Sequence, residues 1–213
     1  GHERRPTAWQ PPPAHVRDLR ALLRRLEALE EDRQREANRL EKTQIEGAPD
    51  SVLESLQAML TALKEQIERL HRQIDDHIDR HPDLKTQRAH LETIPGVGPK
   101  LSAEFLALFG FKNFRDAKQA AAFLGLVPVE HQSGTSLLKR PRLAKNGDSR
   151  WRARLFLPAL TATRYNADVR GLYQRLIAAG KSKMSAAGAA MRKLVQIAFG
   201  VFKHQQPYQP QSI

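Results

Sequence analysis

The residues best suited to chemistry lie between Gly125 and Arg154, where hydroxyl side chains are followed at once by a dense run of bases. The hydroxyls are Ser133, Thr135 and Ser136. The bases, interrupted only by the acid Asp148, are Lys139, Arg140, Arg142, Lys145, Arg150, Arg152 and Arg154. Arginine offers a two-pronged donor that suits a phosphate in a transition state, so a nearby serine could attack a phosphodiester.

Such an attack would give a phosphoserine and a free 3′-hydroxyl, and it would conserve bond energy, so that strands could be exchanged without ATP. The residues alone leave this assignment open. Ser133-Gly134 is also a favourable turn in a passive binding loop, and Thr135 or Ser136 could be the reactive hydroxyl instead. His131 is a conceivable proton acceptor, although a surface histidine is the more common case.

A metal site within this chain is not expected. After residue 93 the acids are few and well separated, which argues against a two-metal nuclease. Those acids are Glu104, Asp116, Glu130, Asp148 and Asp168. The chain has no cysteine, which excludes disulfides, thiolate ligands and cysteine nucleophiles, and we expect no cofactor to be held by this chain.

The net charge of +12 is concentrated in one half of the chain. Residues 16–92 carry 14 Lys and Arg against 17 Asp and Glu, whereas residues 93–213 carry 19 against 5. An excess concentrated in this way is typical of a domain that meets a polyanion, because each phosphate that is neutralised releases condensed counterions. The sequence therefore predicts that the chain binds a nucleic acid, with DNA as the main expected partner.

The first 81 residues predict a linker followed by a helical hairpin. Residues 1–15 contain Trp9-Gln-Pro-Pro-Pro-Ala14, which disfavours a helix. In residues 16–81, apolar residues recur at steps of three and four in two runs separated by Gly47-Ala-Pro49, and the second run extends from Leu53 to His77. We expect an antiparallel coiled-coil hairpin that forms a homodimer, with a higher oligomer left open. A hairpin that only supports the next domain is the alternative.

Residues 93–98 join two predicted helices by a tight turn containing Pro95 and two glycines. Gly96 and Gly98 would let the backbone approach a phosphate, the free amides of the next helix would donate to it, and Lys100 would add a positive charge. This helix-hairpin-helix pattern predicts sequence-independent phosphate contact. The alternative is a helical connection that needs glycine only for its geometry.

The rest of the pattern is helical, so the predicted fold class is mainly α, with at most a minor strand element near Leu126–Val129. Residues 82–204 are expected to form one helical domain, in which Phe123, Met184 and Phe202 are among the buried residues, and residues 205–213 a disordered tail. The sequence has no run of about twenty apolar residues and no evident signal peptide. We therefore expect a soluble, intracellular protein without a membrane partner.

Five motifs, in order and spacing, resemble the C-terminal half of the Piv/MooV-like transposases of the insertion-sequence-110 family. These transposases are bridge-RNA-guided DNA recombinases. The likeness covers about residues 85 to 205, and the proline-rich segment and hairpin resemble the middle region of the family. The motifs are Ile94–Gly98, Phe123–Pro128, Gln132–Ser136, Ala144–Gly147 and Met191–Leu194.

The resemblance implies a DNA transposase of a prokaryotic cytoplasm, associated with the nucleoid and directed by a guide RNA. It also implies an N-terminal RuvC-like domain whose carboxylates bind magnesium, a dimerising coiled coil and a transposase domain with a serine nucleophile. Ser133 best matches that serine, with Ser136 in reserve. No residues here match the carboxylates, so this chain alone is expected to bind nucleic acid without cleaving it. The alternative is a non-catalytic, dimeric helix-hairpin-helix DNA-binding adaptor.

Overall fold

The structure, a computed structural model, describes residues 11–129, 132–133, 137–138, 142–143 and 147–210, with only the backbone at residues 129, 132–133, 137–138 and 142–143. The chain divides into two compact units, Gly1–Pro82 and Asp83–Ile213. The predicted fold class is confirmed, because the chain is mainly helical with four two-residue strands among the described residues. The helices are α1 (Ala14–Ile45), α2 (Asp50–Asp79), α3 (Pro82–Glu92), α4 (Pro99–Phe111), α5 (Ala117–Phe123), α6 (Ser149–Tyr165), α7 (Ala167–Ala178) and α8 (Lys183–His204), and the strands are β1 (Pro128–Val129), β2 (Gln132–Ser133), β3 (Leu137–Leu138) and β4 (Arg142–Leu143).

The first unit is a pair of long antiparallel helices. α1 packs against α2, and the start of α1 meets the end of α2, because His77 Nε2 lies 2.8 Å from the carbonyl oxygen of His15. The ring of His81 completes this end, stacked on His15 and 4.5 Å from His77 between ring centroids. α2 begins after the N-cap residue Pro49 and has no side-chain cap.

Burial in this pair of helices is concentrated towards the end where the start of α1 meets the last turns of α2. Val16, Leu19, Leu26 and Leu29 of α1 are buried, but in α2 only the last turns contribute, through Leu70, Ile74 and Ile78. His77 was expected in the apolar seam, and Ile78 occupies that buried position instead. Towards the other end of α2, the leucine stripe is only half-buried, and Val52 and Met59 are exposed.

The second unit is organised around α8, which contacts α4, α5, α6 and α7. Its buried small residues, Ala186, Ala187, Gly188 and Ala190, let neighbouring helices approach closely. Rings fill the adjoining core, where Phe109 contacts Phe105, Phe114, Phe199 and Phe202. Three burial predictions were wrong. Phe123 is 47% exposed and Met184 68% exposed, and Phe202 is only half-buried.

Side chains cap four of the helices in this unit. Asp116, Asp148, Asn166 and Ser182 each accept a hydrogen bond from a backbone amide in the first turn of the helix that follows. The cap of α7 is Asn166, whose side chain is fully buried, and Asp168 lies in the first turn of that helix. α6 contains Pro158 and is assigned as one helix from Ser149 to Tyr165.

The segment after α8 is held in place through Tyr208. Its amide donates to Thr93 Oγ1 at 2.8 Å, and its hydroxyl donates to the Asp168 carboxylate at 2.7 Å and lies 2.9 Å from Asn166 Oδ1. The disorder predicted from residue 205 is therefore wrong for residues 205–210. Residues 211–213 lie outside the described residues.

The hydroxyl of Tyr208 gives a pH-dependent prediction. Burial and the hydrogen bond to Asp168 raise its pKa from 10.0 to about 12. Because the folded pKa lies above the unfolded value, this contact stabilises fully below pH 10 and is lost as the pH rises towards 12. We expect Tyr208→Phe to lower the unfolding free energy by about 1 kcal/mol at pH 7, and the difference from wild type to vanish near pH 12.

Thermal unfolding at several pH values measures this difference. Tyr165→Phe is the matched control, since Tyr165 is 71% exposed. An unfolding midpoint of Tyr208→Phe equal to that of the wild type at pH 7 would contradict the predicted role of the hydroxyl.

Candidate functional site

The segment with the candidate serine contains two short antiparallel ladders, one nested within the other. β1 pairs with β4, with Pro128 opposite Leu143, and β2 pairs with β3, with Ser133 opposite Leu137. The backbone of Ser133 thus lies at the end of the inner ladder, next to the connection formed by residues 134–136. Strands hold a side chain in a more defined direction than a loop does. The strand element predicted near Leu126–Val129 corresponds to β1, whereas Ser133 lies in the separate pair formed by β2 and β3.

The structure describes only part of the predicted basic cluster. The side chains of Ser133 and Arg142 are not described, and their backbones belong to β2 and β4. Ser136, Lys139, Arg140 and Lys145 lie outside the described residues. Their predicted roles therefore stay predictions.

The two ends of this segment meet at a pair of glycines. Gly125, which follows α5, has a φ of +68°, and a Cβ on Gly147 would lie 2.3 Å from both the Cα and the nitrogen of Gly125. No side chain fits between two backbones this close. The guanidinium of Arg152 closes the junction, because its Nη1 donates to the carbonyl oxygen of Gly147 at 2.9 Å. We call Gly125, Gly147 and Arg152 the glycine clamp.

Arg150 stands beside the N-cap of α6. Asp148 Oδ1 accepts from the Arg150 amide at 2.9 Å and from its Nε at 3.3 Å. Partial burial raises the pKa of Asp148, but these hydrogen bonds outweigh it and hold the pKa below its ordinary value. The one acid within the predicted basic cluster is therefore used to start the helix that carries Arg150, Arg152 and Arg154.

Arg154 compensates a buried charge. Its Nε lies 3.6 Å from Oε1 of Glu104, whose side chain is only 8% exposed, and its guanidinium lies over the ring of Trp151. A buried carboxylate needs a nearby cation, so this pair ties α4 to α6. All three predicted nucleic-acid-binding arginines on α6 thus have contacts within the protein, and sequence reasoning did not anticipate these contacts.

The turn predicted to bind phosphate connects α3 and α4. Gly96 has a φ of +103°, and a Cβ there would lie 2.7 Å from the carbonyl oxygen of Pro158 in α6, so packing against α6 also requires a glycine at this position. Gly98 differs, because a Cβ there would meet no atom within 4 Å. Lys100 is exposed in the first turn of α4. An open Gly98 beside helix amides is compatible with the predicted phosphate contact.

Among the residues that the structure describes, no group of three or more His, Cys, Asp or Glu side chains is arranged to hold a metal ion. In the same part of the chain, no helix has the length and apolar character needed to cross a membrane.

The sequence of the second unit, which is mainly helical and contains the serine-bearing ladders, is similar to a known class of proteins. Residues 88–174 match the sequence model described as "Transposase IS116/IS110/IS902 family". This match begins within α3 and covers the glycine turn, the glycine clamp and the three arginines of α6. It defines the matched region as a transposase-type domain.

Individual relatives extend the likeness beyond that region. The chain is 31% identical over 213 residues to the pilin gene-inverting proteins of Moraxella lacunata and Moraxella bovis, covering 98% of this chain and 64% of each of those proteins. It is 29% identical over 158 residues to the uncharacterized 43.6 kDa protein of insertion element IS110 from Streptomyces coelicolor, covering 74% of this chain and 38% of that protein. These similarities support an IS116/IS110/IS902-family transposase, as the sequence motifs predicted.

The glycine clamp predicts a large loss of stability in Gly147→Ala. The added methyl group would overlap the backbone of Gly125, which must then move. We expect the unfolding free energy to fall by about 3 kcal/mol and the thermal midpoint by roughly 10 °C.

Gly200→Ala provides the control for a plain glycine-to-alanine change. Gly200 lies within α8, and a Cβ there would meet nothing within 4 Å, so this variant is expected to be as stable as the wild type or slightly more stable. Equal midpoints for Gly147→Ala and the wild type, measured by calorimetry, would show that the clamp is not tight in solution.

Proposed function

We propose that this chain is the serine-bearing part of a DNA recombinase that cuts and rejoins strands during transposition. The observation that carries the proposal is the position of Ser133 at the end of a paired ladder, in a domain of a transposase family. The Moraxella relatives are named for inverting a pilin gene. Inverting a DNA segment requires cutting and rejoining both of its ends, so double-stranded DNA is the substrate class that we propose for this chain.

The proposed chemistry is balanced at each step. The hydroxyl oxygen of Ser133 attacks a phosphodiester phosphorus, the bond to the 3′ oxygen breaks, and that oxygen leaves with a proton as a 3′-hydroxyl. A 3′-hydroxyl of the partner strand then attacks the phosphoserine and releases the serine. One phosphoester bond forms for each that breaks, so neither ATP nor a redox partner is required. Arginines would stabilise the charge that develops on the phosphate.

Magnesium and its carboxylates belong to a different region in this proposal. The described acids after residue 93 do not form a ligand set: Glu104 is paired with Arg154, Asp116 and Asp148 cap helices, and Asp168 accepts from Tyr208. The metal therefore does not fit the described part of this chain, and no step above runs through it. The chain spans 64% of the length of the Moraxella relatives. We propose that a RuvC-like domain supplies the carboxylates and that a guide RNA selects the DNA.

A second candidate is a binding adaptor without chemistry. The open N-terminal end of α4 at Gly98 and the exposed Lys100 support phosphate contact that does not involve the serine. The contacts that Arg150, Arg152 and Arg154 make within the protein also suit a structural role. The two candidates agree on DNA binding and differ in whether Ser133 forms a covalent bond.

Strand exchange by a protein that joins this chain to the proposed RuvC-like domain tests the serine. We expect Ser133→Ala to abolish both recombination and the covalent protein-DNA adduct, because no other oxygen would be positioned for the attack. Ser136→Ala and Thr135→Ala are matched controls in the same connection, and both are expected to retain recombination within a few-fold of wild type.

Mass spectrometry of the trapped adduct identifies the attached residue. A DNA adduct on Ser133 would exclude the adaptor. Recombination by Ser133→Ala at the wild-type level, or an adduct on Ser136 instead, would refute the assignment of Ser133.

We also propose that the helical pair of the first unit forms a homodimer. Over most of α2, the stripe of Leu53, Leu56, Leu60, Leu63 and Ile67 is only half-buried within one chain, and Val52 and Met59, seven residues apart on one helix face, are exposed. A second copy would cover these apolar side chains.

Light scattering at high micromolar concentration tests the dimer. We expect twice the chain mass of 24.1 kDa for wild type and a shift towards a single chain for Met59→Glu, since a carboxylate would then enter the apolar contact. Gln57→Glu adds the same charge on the opposite side of α2 and should stay dimeric. A wild-type monomer under these conditions would rule out the proposed dimer.

A further inference from the structure

An exposed aromatic ring lies beside a cation at the end of α5. Phe123 is 47% exposed, and Lys112 Nζ lies 5.2 Å from the centroid of its ring. The apolar pattern of α5 predicted burial at this position, and Ala120, Ala121 and Leu124 are indeed fully buried. A large exposed ring with a cation over it is a common element of surfaces on which nucleobases stack.

Further rings hold Phe123 in place. Its centroid lies 5.5 Å from that of Phe114, which in turn lies 6.3 Å from Phe199 in α8. Lys203 Nζ lies 6.0 Å from the Phe199 centroid and donates to the carbonyl oxygen of Arg115 at 3.4 Å. The exposed ring is therefore supported by the core, and cations lie along the row of rings.

A groove of about 650 Å³, with both polar and apolar side chains in its lining, lies between the start of α5 and the C-terminal half of α8. Lys118 at the start of α5 and Lys193 of α8 line it, together with Gln196, His204 and Tyr208. Asp168 also lines the groove, but it accepts a hydrogen bond from Tyr208. The groove thus offers cations and amides to a polar ligand.

The charges of this surface are mostly of one sign. We call it the basic aromatic face, and it consists of Lys112, Arg115, Lys118, Phe123, Lys193 and Lys203. Two acids lie near it: Asp116 caps α5 and pairs with Arg115, and Asp168 is bound by Tyr208. The excess of positive charge suits a phosphate backbone, and the ring suits a base.

We propose that the basic aromatic face binds single-stranded nucleic acid; this inference rests on the proposed function. A duplex keeps its bases stacked on one another, whereas an unpaired base can stack on Phe123 while the lysines follow the backbone. Phe123 precedes Gly125 of the glycine clamp by two residues. The face therefore begins where the chain leaves α5 for the serine-bearing ladders, a place suited to holding a strand that has been separated for exchange.

Fluorescence anisotropy on the full chain tests the proposal with three probes of about 16 nucleotides: oligo-dT, oligo-rU and a DNA duplex. We expect Phe123→Ala to weaken binding of both single strands by about 5- to 30-fold and to leave duplex affinity within about two-fold. We expect Lys118→Gln/Lys193→Gln to reduce the slope of log affinity against log salt by about 1.4 for the single strands, because two phosphate contacts are lost.

Matched controls exclude general effects of exposed residues. Leu157→Ala removes another exposed apolar side chain of the same unit, and Lys181→Gln/Lys183→Gln removes the same charge from exposed positions outside the face. Both controls should bind all probes as wild type does. Tighter binding of oligo-rU would identify an RNA as the natural ligand, tighter binding of oligo-dT would identify a DNA strand, and equal binding would support contact with phosphate and base stacking alone.

The outcomes also separate this proposal from the proposed function. If Phe123→Ala binds single strands as wild type does, or loses duplex and single-strand affinity equally, the face is not a single-strand site. Wild type that binds the duplex but neither single strand would overturn this inference alone. Wild type that binds none of the three probes would overturn both proposals.

Discussion

The contact between Gly125 and Gly147 is the constraint on which the candidate site depends. Two backbones meet at this point with no space for a Cβ, so both ends of the 21-residue segment 126–146 are fixed at one junction. Loop closure costs entropy, and fixing both ends reduces the freedom that remains for the segment between them. The paired ladders then reduce it further. A reactive hydroxyl needs a defined position, and the backbone of Ser133, the proposed nucleophile, is paired in the inner ladder.

The arginines of α6, which the sequence predicts to bind nucleic acid, also make contacts that stabilise the fold. Arg152 holds the glycine junction and Arg154 compensates Glu104, so replacing either residue would change the fold as well as the charge. A lysine could not replace Arg152 in the same way, because its compact ammonium lacks the planar set of donors. Loss of DNA binding in such a variant would therefore not by itself show contact with phosphate.

Much of the fold could be predicted from the sequence, because helices and their boundaries depend on local patterns. The step of three and four in α1 and α2, the caps at Asp116 and Asp148, and the glycine turn before α4 are all local signals. Burial at helix ends was less predictable. Phe123 and Met184 fit the apolar pattern, but their exposure depends on which helices lie opposite, and no local pattern contains that information.

The same distinction between local patterns and contacts of distant residues applies to the candidate site. Ser133 and the arginines could be proposed as a site because they are close in sequence. The cations of the basic aromatic face come from α4, α5, α8 and the segments beside them, and Lys112 and Lys203 are 91 positions apart. The partners of Arg154 and Gly96 are distant in sequence as well. Only the packing of α8 against its neighbours brings such residues together.

The attachment of Tyr208 bears on where this polypeptide can be shortened or extended. A fragment designed from the helix pattern alone would stop at the end of α8, and it would leave Thr93, Asn166 and Asp168 without the groups that they contact. A fusion partner joined directly to α8 would displace the same segment. The functional C-terminal boundary of the domain therefore lies beyond its last helix, and expression fragments need to retain at least Tyr208.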